Sequence, residues 1–374
     1  MTTLINLLSW LPGHSGFGSY VQRVVPGLVG NRLQLGADGC GVVVPEPEWI
    51  AEPPPWAPQR SMRFLQRYSL VQHGLDLSNL FAAQGFNQQD LGVIYSPFFD
   101  ALLCFPRVPQ IITCHDLTPL VMSNSRKAWI RYRFWQPRHL DCAHRLIAIS
   151  QYVADQLVQF GASADLIVVI PNGIRILREP VEQLVTDDVL LLARHDANKN
   201  LPEFLRALAV VQREIPNWRG RIRIVGRAGR QSSLVKRLIH LLPRPSQVEL
   251  LSSLSPQSLL QCLRESCALI AASTEEGFDY PVLEAKAEGI PSLISDIPVH
   301  REFHSDSSLF FSVGINNART TGQQLASQLR LLMNDSQAWK QLSRAGVALA
   351  RKHTIDRQQV LIQAQIDQVA RSCC

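Results

Sequence analysis

The sequence predicts an α/β protein of two doubly wound domains, and three observations lead there. Short, nearly continuous apolar runs alternate with amphipathic helical stretches along the chain. That alternation marks parallel strands covered on both faces. At 374 residues the chain is also longer than one compact core usually supports. Finally, the pattern pauses once, over the polar, strand-poor NGIRILREPVEQLVTDD at 172–188, where a linker belongs.

Taken in order, the first-domain strands are expected in LINLLSWL, LGVIYSPFF, QIITCHDL, RLIAIS and LIVVIP. The second-domain strands are expected in DVLLLARH, RIRIVG, VELLSS, CALIAAS, PSLISD and SLFFSV. The division is 1–178 and 179–354, followed by an amphipathic segment at 355–374. The segment EPEWIAEPPPWAPQR at 46–60 is too rich in proline for a strand or helix. It reads equally well as an acceptor-pocket lining or an ordered surface loop.

Composition narrows the function classes. No apolar run reaches the ~18–20 residues of a membrane span, and the amino terminus lacks the features of a signal peptide. The expectation is a cytoplasmic protein. Its 8 cysteines are scattered without a C-x-x-C spacing and read as reduced core thiols rather than metal ligands or disulfides. The net charge of +6 favours anionic partners such as nucleotides, phosphates or an acidic membrane face. The basic residues are spread along the chain without a nucleic-acid recognition motif, so no nucleic acid is expected.

Open parallel sheets bind ligands beyond the carboxyl ends of their strands, and with two such domains the expected site is the cleft between them. Residues just after strands therefore matter most. After the first strand, Gly16 and Gly18 precede a helical stretch. Glycines there let backbone N–H groups approach an anion, or simply make a tight turn. The third glycine of the dinucleotide fingerprint is missing, which argues against a nucleotide-dependent oxidoreductase. His115 and Asp116 end another strand, a pair able to orient a proton donor or hold a sugar hydroxyl. In ARHDANKNLPEF, Arg194 and Lys199 precede a helix that Asn200 is expected to cap, with Glu203 closing a capping box. Two cations before a helix N-terminus suit a diphosphate.

STEEGFDYPVLEAKAEGIPSLISD, at 273–296, carries two acids at E-x7-E spacing across a glycine. Glu276 is expected in the turn and Glu284 one turn into a helix that Pro281 opens and Gly289 ends. Carboxylates accept from vicinal hydroxyls, so the pair suits a ligand with two diols, such as a nucleotide sugar. The backbone N–H groups of Gly277 and Phe278 are expected to complete the site.

On GFGSY, HD, IPNGI, ARHDANKN, STEEGFDYPVLEAKAEGIP and SDIPVHREF, in that order, the chain resembles the retaining nucleotide-sugar glycosyltransferases of family 4, which have the GT-B fold. The resemblance implies that Glu276 binds donor-sugar hydroxyls and Glu284 the ribose. It also implies that Arg194 and Lys199 neutralise the diphosphate, that Gly16 approaches the phosphate, and that His115 lies near the transferred sugar. Ser252, Ser253 and Leu254 occupy the loop that usually flanks the base, and the segment after Thr354 is expected to cross back onto the first domain. Ser252 and Asp279 both stand where glycine is common in the family.

No D-x-D triplet occurs, and with no metal-binding H-x-x-x-H or H-E-x-x-H pair expected either, no metal or other cofactor is expected. The resulting expectation is a retaining hexosyltransferase serving surface polysaccharide or glycoconjugate synthesis on a glycan or lipid-linked acceptor, with the donor sugar left open and mannose from GDP-mannose as one candidate. An epimerase-like GT-B enzyme is the alternative. The segment 125–145 is basic and aromatic, with Arg126, Lys127, Trp129, Arg131, Arg133, Trp135 and Arg138. It reads as a face for an anionic membrane or lipid phosphate, or as a solvated helix with packed aromatics.

Overall fold

The computed structural model describes residues 2–7, 16–30, 32–35, 41–43, 89, 91–103, 105–122, 126–176, 178–252, 254–314 and 316–372. The segment 46–60, Ser253 and the cysteines at 40, 104, 373 and 374 lie outside the described residues. The chain forms two compact units: Met1–Gly173 with His353–Cys374, and Ile174–Lys352.

The first unit is built on seven strands: β1 Thr2–Asn6, β2 Arg32–Leu35, β3 Gly41–Val43, β4 Leu91–Ser96, β5 Gln110–Cys114, β6 Arg145–Ala148 and β7 Ile167–Val169. Their order is β3-β2-β1-β4-β5-β6-β7. β4 and β5 are buried along their whole length, as continuous apolar runs demand. β2 and β3 were not among the expected strands, and β3 pairs antiparallel with β2 at the sheet edge. The reason is local. β2 alternates Arg32 and Gln34 with two leucines, and β3 has only three residues, so neither shows a buried run.

The helix Ile355–Ser372 belongs to this unit. Its Ile362, Ile366 and Val369 lie at helical spacing and share a core with Ile5, Tyr20, Val24, Val93 and Ile111. Gln358 pins the same helix to the N-G-I turn: it accepts from the Gly173 N–H at 2.8 Å and donates to Asn172 Oδ1 at 3.0 Å. A Cβ at Gly173 would come within 2.3 Å of the Thr354 carbonyl oxygen, so only glycine fits there.

The second unit carries six strands: β8 Val189–Leu192, β9 Ile222–Val225, β10 Val248–Leu251, β11 Ala268–Ala271, β12 Ser292–Ser295 and β13 Leu309–Phe311. Their order is β10-β9-β8-β11-β12-β13 and every pairing is parallel. Leu190, Leu269 and Leu293 from the central strands meet Phe204 and Leu208 from the helix Leu201–Glu214 in one core. Strand order reverses between β8 and β11, and a crevice opens beyond their carboxyl ends at such a reversal.

Candidate functional site

The loops leaving β8 and β11 are stitched together at the switch point. The Thr274 N–H donates to the Asn198 carbonyl at 2.8 Å, and the Asn198 side chain returns a bond to the Glu275 carbonyl at 3.3 Å. Lys199 and Glu276, the next residues on each loop, consequently face each other. Lys199 Nζ lies 2.5 Å from Glu276 Oε1, with side chains 16% and 11% exposed. Asn198 is buried and was not singled out in the sequence, where it reads as one more polar loop residue.

Asn200 does not cap the following helix as expected. It adopts a left-handed conformation, φ 55° and ψ 28°, and its side chain makes no cap bond. Asparagine tolerates that conformation better than most residues. It ends the tight turn Ala197–Lys199 and sets Lys199 toward β11. Glu203 pairs with Arg206 at 2.5 Å instead of closing a capping box. Among the described glycines only Gly30, Gly161, Gly289 and Gly314 have positive φ, so the loop turns at Gly277 without a left-handed residue.

The electrostatics of the pair follow from two acids sharing one ammonium. Burial alone would lower the Lys199 affinity for its proton, but Glu276 and then Asp279 outweigh it and hold the ammonium above its ordinary range. Burial pushes the Glu276 carboxyl up, against the pull of Lys199, and the nearby Asp279 charge adds to the rise. Ser273 donates a hydrogen bond to Glu276. Arg194 is the outer cation, 62% exposed and 3.5 Å from Asp196 Oδ2.

Asp279 is buried and accepts from His300 Nε2 at 3.2 Å. His300 and His304 stand at H-x-x-x-H spacing on the helix Pro298–His304 and are both buried, which corrects the expectation that this spacing is absent. Glu284 is half-buried on the helix Tyr280–Ala287. The Phe278 ring packs edge-on against Tyr280 and Phe303, at 5.5 and 4.9 Å between centroids. Ser252, exposed, and Leu254, half-buried, follow β10, and Ser253 lies outside the described residues.

The other expected residues belong to the first unit. Gly16 and Gly18 open the helix Gly16–Val24. His115 follows β5, buried, with its Nε2–H donating to the Pro97 carbonyl at 2.8 Å and its ring edge-on to Tyr20 at 4.5 Å. Burial pushes its imidazole down to about 4, so His115 is neutral at pH 7 and not a ready proton donor. Asp116 accepts from the Thr118 N–H at 3.1 Å. In the 125–145 segment, Arg131 opens a π-helical turn, Arg133 is exposed, and Trp135 is half-buried, so Trp135 contributes less surface than expected.

Two doubly wound units, one with a cation–carboxylate pair at its switch point, define an α/β protein of the GT-B class. Residues 37–178 match the family model Glycosyltransferase Family 4, and residues 178–348 match Glycosyl transferases group 1. The chain belongs to the family 4-type glycosyltransferases. It is 24% identical over 205 residues to the O-antigen chain mannosyltransferase RfbU of Salmonella typhimurium, covering 54% of this chain and 56% of that protein. It is 26% identical over 220 residues to a GDP-mannose:cellobiosyl-diphosphopolyprenol alpha-mannosyltransferase of Xanthomonas oryzae pv. oryzae, covering 57% and 56%. The chain thus spans about half the length of these curated relatives. Among solved structures, Anabaena HepE in complex with UDP and glucose aligns with a TM-score of 0.71 at 18% identity, over 98% of this chain and 100% of that one. Sucrose-phosphate synthase from Thermosynechococcus elongatus aligns at 0.69 with 14% identity, over all of both chains.

Proposed function

We propose that the chain is a retaining, metal-independent glycosyltransferase that moves a hexose, with mannose as first candidate, from a nucleoside-diphosphate donor to a glycan or lipid-linked acceptor. The observation that carries this reading is the buried Lys199–Glu276 pair at the switch point of the second sheet. A diphosphate entering there offers Lys199 a more highly charged partner and frees Glu276 to accept from sugar hydroxyls. Arg194 supplies the second positive charge and Glu284 a carboxylate for the ribose diol. As the bond between the anomeric carbon and the diphosphate oxygen breaks, the two cations stabilise the departing charge without a metal. The acceptor oxygen bonds to the same face of the anomeric carbon, and its proton passes to the departing phosphate oxygen. The mannosyl transfer named for the Salmonella and Xanthomonas relatives supports the choice of sugar.

Peripheral attachment to an anionic membrane is the second part of the reading. No helix among the described residues is long and apolar enough to cross a membrane. Val121, Trp129, Ile130 and Phe134 are nevertheless 58%, 42%, 43% and 57% exposed, and Arg133 stacks 5.7 Å from the Phe134 ring. The stretch 117–140 contains no acidic residue. Apolar and cationic side chains on one short segment suit a headgroup layer. Changing Arg131 and Arg133 to Glu is expected to reduce flotation with anionic liposomes, and unchanged recovery contradicts this part.

The donor assignment is tested by melting the protein with a panel of nucleotide sugars. Ligand at a hundredfold its Kd stabilises by about 2.7 kcal/mol. One nucleoside-diphosphate sugar is expected to raise Tm, the rise to vanish in Lys199→Ala, and transfer to survive EDTA. A panel that leaves Tm unmoved contradicts the reading, and loss of transfer in EDTA contradicts metal independence.

A further inference from the structure

Asp279 is a third acid in a loop whose task is to receive an anion, and its partner explains how it is tolerated. His300 is fully buried. Its Nδ1 lies 2.8 Å from the Ser295 carbonyl and 3.1 Å from Ser295 Oγ. Ser295 Oγ spends its own hydrogen on the Ser273 carbonyl, at 2.5 Å. Both partners of Nδ1 are therefore acceptors, and Nδ1 carries a proton. The 3.2 Å contact between Nε2 and Asp279 Oδ2 then needs a second proton, because a bare Nε2 lone pair facing a carboxylate is repulsive. The pair is neutral only while it holds that proton.

We propose that His300 is a positioning residue that neutralises Asp279 through this shared buried proton, leaving Lys199 balanced by Glu276 alone and available to the donor diphosphate. The inference rests on the donor-site reading given above. The titratable groups facing Asp279 are Lys199, Glu276, His300 and His304. Burial would raise the Asp279 carboxyl, but the hydrogen bond from His300 and the positive charges of Lys199, His300 and His304 hold it below its ordinary range. The network is also mechanical. Ser273 to Ser295 to His300 to Asp279 ties both ends of the Glu276 loop to the end of β12. Loss of the proton has two consequences. The hydrogen bond that anchors the loop breaks, and two carboxylates compete for one ammonium where a diphosphate must bind.

The test is the pH dependence of UDP and GDP binding, measured by calorimetry on the full chain, with melting curves at each pH. For the wild type, Kd is expected to rise by about tenfold per pH unit above the midpoint of the shared proton, the limit for one linked proton. Asp279→Asn is expected to lose that alkaline limb, whatever its plateau affinity, because the Asn amide donates to neutral Nε2 without an extra proton. His300→Ala is expected to bind weakly at all pH, with Kd near the alkaline wild-type value. A merely structural role lowers Tm in both variants and leaves the slope in place. An alkaline limb that persists in Asp279→Asn overturns the assignment to His300, even if His300→Ala fails to fold. Wild type that binds neither nucleotide at any pH overturns the donor-site reading itself.

Discussion

Glu276→Gln separates the two jobs proposed for the Lys199–Glu276 pair. The substitution keeps shape and removes charge. Breaking a fully buried ion pair costs about 3–5 kcal/mol, because the remaining charge is left uncompensated. Here the side chains retain 16% and 11% exposure, so water screens the charge left behind and the expected loss falls to about 2 kcal/mol. A nucleoside diphosphate no longer has to displace a carboxylate in the variant, so UDP or GDP should bind about tenfold more tightly, a gain of about 1.4 kcal/mol. Sugar transfer should fall by about a hundredfold or more, since charge-assisted bonds to hydroxyls, worth about 1.5–3 kcal/mol each, are lost. Urea denaturation, calorimetry and a transfer assay read the three quantities separately. A variant as stable as wild type that binds nucleoside diphosphate no more tightly refutes the reasoning, because Glu276 would then not compete for Lys199.

Two further substitutions probe the scaffold. Lys286 is buried, donates to the Ser307 carbonyl at 3.0 Å, and is pushed down to about 7 by desolvation. The unfolded chain holds this proton up to about 10.4, so wild-type stability gains as pH rises through 7. Any stability advantage of Lys286→Met should therefore shrink by about 3 kcal/mol between pH 6.5 and 9.5, and a difference constant in pH contradicts this. Gly173→Ala should destabilise the first unit by about 1–3 kcal/mol or more, because the new methyl meets the Thr354 backbone. Faster proteolysis of the last twenty or so residues checks it, and unchanged protection contradicts the packing account.

Eleven of the thirteen described strands announce themselves as apolar runs, because a parallel strand buried on both faces cannot disguise its composition. β2 and β3 escaped because an edge pair of four and three residues has no such demand placed on it. The strand-end rule directs attention to Lys199 and Glu276, but their contact, across 77 positions, depends on β8 and β11 being neighbours. Asn200 misled for a related reason. Asparagine before a helix is the pattern of a cap, and the same residue type also tolerates the left-handed conformation it takes here. Asp279 was visible only as a departure from glycine. Its partner His300 comes from the helix after β12, and nothing local in VHREFH distinguishes a buried histidine from a surface one.

The most direct measurement is a structure of the chain with a nucleoside diphosphate bound. The account predicts phosphate oxygens within about 3 Å of Lys199 Nζ, at the carboxyl ends of β8 and β11, with Glu276 turned away from the ammonium. Phosphates bound elsewhere, with the Lys199–Glu276 pair intact, contradict it.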